Sequence, residues 1–264
     1  MPSKGSTASM PIKGDADGRG SFLLTEKAAA RYHAPMPRHI RSAPGGFVYH
    51  ALNRAVARMR LLRKEGDFDA FERVLVEAMA KHPIRLLGYC LMPTHWHFVL
   101  WPARDDDMTK FLRWLTHTHS KRWQAHYHRG GSGHVYQGRF KSFPVQEDDH
   151  FFTLLRYVER NALRARLVRR AEDWRWSSLY HRLRGDTDPL SHLLHDGPAE
   201  LPDDWVERVN QPQTQAELEA LRRSVHRGQP FGSEIWQARV AKELELEHTF
   251  RPLGRPKKKA EDAD

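Results

Sequence analysis

A chain of 264 residues has the length of one large domain, or of one compact domain with an appended module. Its 39% hydrophobic content, with 8 Trp and 12 Phe, is enough for a buried core, and 43 Lys+Arg against 33 Asp+Glu leave a net charge of +10 that suits an acidic partner. The single cysteine, Cys90, excludes an internal disulfide and any cysteine-rich zinc or iron–sulfur site; with no run near the roughly 18 apolar residues of a membrane span and no apolar signal core, the chain reads as intracellular.

Residues 1–35 are rich in Gly, Ser, Ala and Lys and read as a disordered leader, with Met36 a candidate start. Phe47–Asn53, after the turn signal Pro44-Gly45-Gly46, predicts a first strand. Helical spacing of Phe68, Phe71, Val74, Leu75 and Met79 predicts a helix over Asp67–Lys81 with Asp67 as its N-cap. Arg85–Leu91 and His95–Trp101 read as a hairpin joined by Met92-Pro93-Thr94. A helix over Met108–His126, a glycine-containing loop and an extended stretch from Val135 to Val145 follow. Asp148 or Asp149 caps a further helix whose apolar stripe runs through Phe151, Phe152, Leu155, Val158 and Ala162. This order predicts an α+β fold: a ferredoxin-like antiparallel sheet with helices on one face, plus one added helix.

Beyond Trp174–Trp176, Pro189, Pro198, Pro202 and Pro212 break the chain, and the amphipathic segments Gln215–His226 and Ser233–Leu246 read as a helical hairpin joined by Arg227–Pro230. Charge divides along the same line. Residues 36–187 hold 27 basic and 15 acidic residues, whereas 188–264 hold 11 and 15. The expected organisation is therefore a leader (1–35), a basic middle domain (36–187), a helical accessory module (188–250) and a basic-then-acidic tail (251–264).

His95-Trp96-His97 is the most informative tripeptide. On a strand both imidazoles project from one face while Trp96, Phe98 and Leu100 project from the other, so the histidines are expected on the open face of the sheet. Such a pair can hold a divalent metal if a third ligand joins it, though in a chain with 17 histidines the spacing also fits ordinary packing. Tyr157 and Asn161 stand at i and i+4 in the last helix, on one face and beside the apolar stripe. A tyrosine can act as a covalent nucleophile and an amide oxygen can complete a metal site; equally, the pair fits helix packing and a polar helix end. Arg156, Arg160, Arg164, Arg166, Arg169 and Arg170 surround the pair and suit phosphate contact.

Five segments together resemble one family. Tyr89–Leu100, containing Met92-Pro93-Thr94-His95-Trp96-His97, resembles the HUH segment of the single-tyrosine transposases, and Tyr157-Val158-Glu159-Arg160-Asn161-Ala162-Leu163-Arg164-Ala165 resembles their tyrosine helix. Val135-Tyr136-Gln137-Gly138-Arg139-Phe140-Lys141, Tyr49-His50-Ala51-Leu52-Asn53-Arg54 and Trp174-Arg175-Trp176-Ser177-Ser178 also match segments of that family in the right order. The similarity spans about residues 36–180 and is nearest to the REP-associated tyrosine transposases. Thr94 replaces the usual Asn, Trp96 is a bulky occupant of its slot, and Ala162 replaces a common Pro, which frees the helix to run on and reposition Asn161.

The resemblance implies an HUH nuclease fold and a cytoplasmic bacterial protein at the nucleoid. It implies Mg²⁺ or Mn²⁺ held by His95, His97 and Asn161, and cleavage and rejoining of single-stranded or hairpin DNA through a 5′-phosphotyrosine on Tyr157. No nucleotide cofactor is implied, and no GxxxxGK[ST] loop is present. Arg54, Arg139, Lys141, Arg160 and Arg164 are the candidates for gripping DNA, and a homodimer with the tyrosine acting in cis or in trans is open. The other readings are a non-cleaving nucleic-acid-binding protein of the same ancestry and a metal hydrolase that activates water. Leu253-Gly254-Arg255-Pro256-Lys257-Lys258-Lys259 partly resembles an AT-hook and, with Leu253 where that motif has Arg, reads as an electrostatic tether.

Overall fold

The computed structural model describes residues 43–131 and 133–251. The expected leader, and the expected tail beyond Arg251, lie outside the described residues. Strands β1 (Val48–Arg54), β2 (Arg85–Met92), β3 (His95–Trp101) and β4 (Lys141–Val145) form an antiparallel sheet in the order β2-β3-β1-β4. Helix α1 (Glu65–Lys81) leads from β1 to β2 and α2 (Asp107–His126) from β3 to β4, which gives the βαββαβ order of the ferredoxin-like α+β fold.

Alternation along β3 sends Trp96, Phe98 and Leu100, all fully buried, to one face of the sheet. There Phe98 stacks on Phe71 of α1 at 6.3 Å and meets Phe111 of α2 edge-on at 6.5 Å. The opposite face was expected to be open. It is covered by α3 (Asp149–Glu159), whose buried Phe151, Leu154, Leu155 and Val158 form an apolar stripe that needs a surface to pack on. The approach is so close that a Cβ at Gly88 of β2 would stand 2.3 Å from Leu155 Cδ1.

Three further expectations change in detail. Asp67 lies at the third position of α1 rather than before it; its carboxylate accepts from the backbone N–H of Arg63 at 2.7 Å and of Lys64 at 3.2 Å, so it still satisfies the helix start. The extended stretch from Val135 is a strand only from Lys141, with a single bridge from Tyr136 to Ala55 before it. The helix expected to run through Ala162 stops at Glu159, and after Arg160 a single turn, α4 (Asn161–Arg164), resumes. Tyr157 and Asn161 thus stand on two helical pieces. The break falls at the residue whose guanidinium is drawn to another element: Arg160 Nη1 donates to the carbonyls of Val209 (3.2 Å) and Asn210 (2.6 Å) at the end of α6 (Trp205–Asn210).

Later residues protect both sheet edges, which would otherwise expose unpaired backbone groups. Along β2, the Leu91 N–H donates to the Trp176 carbonyl and Trp174 Nε1 donates to the Leu91 carbonyl, each at 2.9 Å, just before α5 (Ser178–Arg182). Along β4, Phe231 accepts from the Gln146 N–H and donates to the Pro144 carbonyl, both at 2.9 Å. Phe231 lies between α7 (Gln215–Arg227), which ends on left-handed Gly228, and α8 (Glu234–Glu243). Among the described residues no helix is long and apolar enough to cross a membrane.

Candidate active site

The hairpin register sets the histidines. Arg54 faces His95 across the β1–β3 ladder, Leu52 faces His97 and His50 faces Val99, so Arg54, His50, His95 and His97 share the α3 face. The His95 and His97 rings lie edge-on with centroids 5.0 Å apart. His95 Nδ1 is 2.9 Å from the Thr94 hydroxyl, and His97 Nδ1 is 2.9 Å from His50 Nε2. Each ring has its Nδ1 engaged, which leaves its Nε2 for other chemistry.

Burial, reinforced by Arg54 and Arg164, pushes the His95 pKa down to about 4. Burial, then the neighbouring histidines and the same arginines, holds His97 well below its ordinary value, and burial alone pushes His50 to about 3. All three rings are therefore neutral near pH 7, the state in which imidazole binds a metal.

Helix α3 brings Tyr157 over this cluster. Its buried ring lies edge-on to His97 at 5.9 Å and to His50 at 6.5 Å. The Arg164 guanidinium sits 4.1 Å from the centre of the tyrosine ring, and its Nη2 donates to Asn161 Oδ1 at 3.1 Å, linking the two expected site residues. Asn161 is buried and its Nδ2 has no hydrogen-bond partner among the described residues. The orphaned Nδ2 is a donor, so it suits an acceptor such as a phosphate oxygen and not a cation. His95 Nε2, His97 Nε2 and the remaining lone pair of Asn161 Oδ1 are donors of the kinds that a divalent ion takes. Among the described residues no group of three His, Cys, Asp or Glu is arranged to hold a metal.

Three of the expected cations meet in one place. Arg54, Arg139 and Lys141 line a groove of about 240 Å³, together with Gln137 and, from α7, Val225 and His226. None of the three has an ion-pair partner among the described residues. Lys141 faces Leu52 in the β1–β4 ladder and so lies on the same sheet face as the histidines. Arg160 is not part of this groove, being committed to the carbonyls that end α6, and Arg156 pairs with Glu217 at 2.9 Å. Of the arginines around Tyr157, Arg164 stacks its guanidinium on the tyrosine ring itself.

His50 is the site residue that motif reading overlooked. Strand alternation places it on the face of Arg54, but its pairing with His97 depends on the β1–β3 register, which spacing along one strand does not define. Cys90, directly opposite His97, is a buried thiol whose pKa burial pushes up to about 12; it packs rather than reacts.

Residues 46–161 match the family model described as "Transposase IS200 like". Among solved structures, the chain resembles a REP-associated tyrosine transposase bound to a REP hairpin, with 16% identity over 61% of this chain and 91% of that one and a TM-score of 0.45. It also resembles a protein from Deinococcus radiodurans R1 described as a transposase, with 17% identity over 48% of this chain and 95% of that one and a TM-score of 0.33. At these scores neither likeness bears on function. No curated protein matches the chain. The family match spans the sheet that carries His50, His95 and His97, helix α3 with Tyr157 and, at its last residue, Asn161.

Proposed function

We propose that the protein is a metal-dependent transposase that cuts and rejoins single-stranded DNA at hairpin, REP-like sequences through a 5′-phosphotyrosine on Tyr157. The observation that carries this reading is the placement of the Tyr157 ring 5.9 Å from that of His97, within one chain and beneath Arg164. His95, His97 and Asn161 would hold Mg²⁺ or Mn²⁺, whose charge when bound polarises the scissile phosphate.

Tyr157 Oη forms a bond to phosphorus, the bond from phosphorus to the 3′ oxygen breaks, and the tyrosine proton passes through solvent to the departing 3′-hydroxyl. The covalent phosphodiester keeps the bond energy, so rejoining needs no nucleotide. Arg54, Arg139 and Lys141 grip the flanking phosphates in their groove, while Arg164 orients Tyr157 and Asn161. In this reading 188–250 is an accessory module that docks on the catalytic domain of 36–187 and supplies one wall of the groove.

Incubation with hairpin-bearing single-stranded DNA and Mn²⁺, followed by a denaturing gel, tests this directly. Wild-type protein should give a covalent adduct and a free 3′-hydroxyl product, and Tyr157→Phe should give neither while still binding DNA. Cleavage that survives in Tyr157→Phe would favour an activated water. Binding without any cleavage by the wild type would favour a non-cutting derivative.

A further inference from the structure

We propose that His50 is a positioning residue for the metal centre: it accepts the Nδ1 proton of His97 and thereby fixes the ring in the tautomer that offers Nε2 to a divalent cation. The inference rests on the metal reading above and concerns a residue outside the HUH tripeptide.

Neutral imidazole carries one proton, on either nitrogen. For His97 to bind a cation through Nε2, its proton must sit on Nδ1 and needs an acceptor. The atom in place is His50 Nε2, 2.9 Å away, with the ring centroids 5.1 Å apart and the ring planes at 24°, nearly coplanar as an in-plane hydrogen bond requires. The arrangement is rigid. His50 is fully buried, its ring lies against Phe143 of β4 at 4.9 Å, and Tyr157 closes over it edge-on.

His50 has one further feature that packing does not account for. Its Nδ1 is buried and has no hydrogen-bond partner among the described residues. An imidazole used only to fill space would leave no polar atom so exposed to desolvation cost, and an apolar side chain would fill the same volume without one. If His50 accepts at Nε2, its own proton lies on that orphaned Nδ1. If instead its proton is on Nε2, it donates to His97 Nδ1 and forces the His97 proton onto Nε2, where it blocks the metal. The two arrangements carry the same number of protons and differ only in which nitrogens hold them, so the pair has one tautomer competent for metal and one that is not. A cation at His97 Nε2 selects the first.

The test compares wild-type protein, His50→Leu and His50→Gln, with thermal unfolding to confirm that each is folded. Mn²⁺ binding is measured by electron paramagnetic resonance titration, and the His97 tautomer by long-range ¹H–¹⁵N correlation in Mg²⁺. Leucine removes the acceptor, and Mn²⁺ affinity should fall by about 10–100-fold, the usual cost of losing an outer-shell partner of a ligating histidine. Glutamine offers an amide oxygen to the same proton and should restore most of that loss. In the wild type with Mg²⁺, His97 should carry its proton on Nδ1. Undiminished Mn²⁺ affinity in His50→Leu, or a His97 proton on Nε2 in the Mg²⁺-bound wild type, would overturn the inference while leaving the metal site standing. Failure of the wild type to bind Mn²⁺ at all would overturn the metal reading and this inference with it.

Discussion

Two buried histidines outside the site have opposite electrostatic environments, and each leaves a signature in the pH dependence of stability. Burial holds His119 at a pKa of about 4, and its Nδ1 lies 2.9 Å from the Tyr136 hydroxyl. A pKa depressed on folding means that the unfolded chain binds the proton more readily. The stability contribution is present above the unfolded value of about 6.5 and is lost as pH falls towards 4, by at most about 3 kcal/mol. Burial also opposes the charged form of His181, but hydrogen bonds with Glu72 at 3.2 Å and Asp188 at 2.7 Å outweigh it and raise its pKa. Its contribution is complete below about 6.5 and is lost as pH rises through the raised value. Urea unfolding of wild type against His119→Gln should show a gap that shrinks from pH 7 to pH 4.5. Against His181→Gln the gap should shrink from pH 6 to pH 9, and a gap independent of pH in either comparison would refute the assigned protonation state. At the third proposed ligand, Asn161→Asp replaces an amide by a group with two oxygens. If the side chain ligates the metal, the aspartate should keep or tighten Mn²⁺ binding, whereas weakened binding in a folded variant would remove residue 161 from the ligand set.

Helix α3 is the element on which the site depends, since it alone brings Tyr157 to the histidine face. Its distance from the sheet is set in part by the missing side chain at Gly88, where an added Cβ would meet Leu155 Cδ1 at 2.3 Å and Ser178 Oγ at 3.2 Å. Gly88→Ala should cost about 1–3 kcal/mol by overpacking. It should reduce adduct formation further than the lost stability explains, because lifting α3 moves the nucleophile; an adduct yield equal to wild type in the folded variant would argue against that dependence. Just beyond α3, Arg160 holds structure together, whereas Arg139 and Lys141 are the proposed DNA contacts. Arg160→Ala should lower stability by about 1–2 kcal/mol through the freed α6 carbonyls and leave DNA affinity unchanged. Arg139→Ala and Lys141→Ala should each flatten the salt dependence of single-strand binding by about 0.7 in log–log slope. A salt slope that changes in Arg160→Ala and not in the other two would reverse the assignment. Periodicity located α3 well because Phe151, Leu155 and Val158 repeat at helical spacing. It did not show that the stripe covers a second sheet face, since amphipathic spacing says that a face is buried and not against what.

At the scale of the molecule, positive charge and chemistry converge because the sheet gathers segments far apart in sequence. His50 and Arg54 come from β1, His95 and His97 from β3, Lys141 from β4, Tyr157 from α3 and Val225 and His226 from α7. The local motifs were legible from alternation and spacing, as with His95 and His97 projecting together from one strand. The contacts between motifs were not: the His50–His97 hydrogen bond requires the β1–β3 register, the commitment of Arg160 requires the position of α6, and the wall of the groove requires α7 to reach the end of β1. That same convergence bears on whether the tyrosine is supplied in cis or in trans. Tyr157 meets His97 of its own chain, buried between α3 and the sheet, and supplying it to a second subunit would mean detaching α3 and exposing Phe151, Leu154, Leu155 and Val158. Uncovering four such side chains would cost on the order of 6 kcal/mol or more at about 1.5–3 kcal/mol each, too much for routine exchange between subunits. A mixture of Tyr157→Phe with His97→Ala should therefore form no adduct with hairpin DNA, although each chain retains what the other lacks. Adduct recovered on the His97→Ala chain, identified by a size tag, would show that the tyrosine crosses to a partner and that α3 exchanges between subunits.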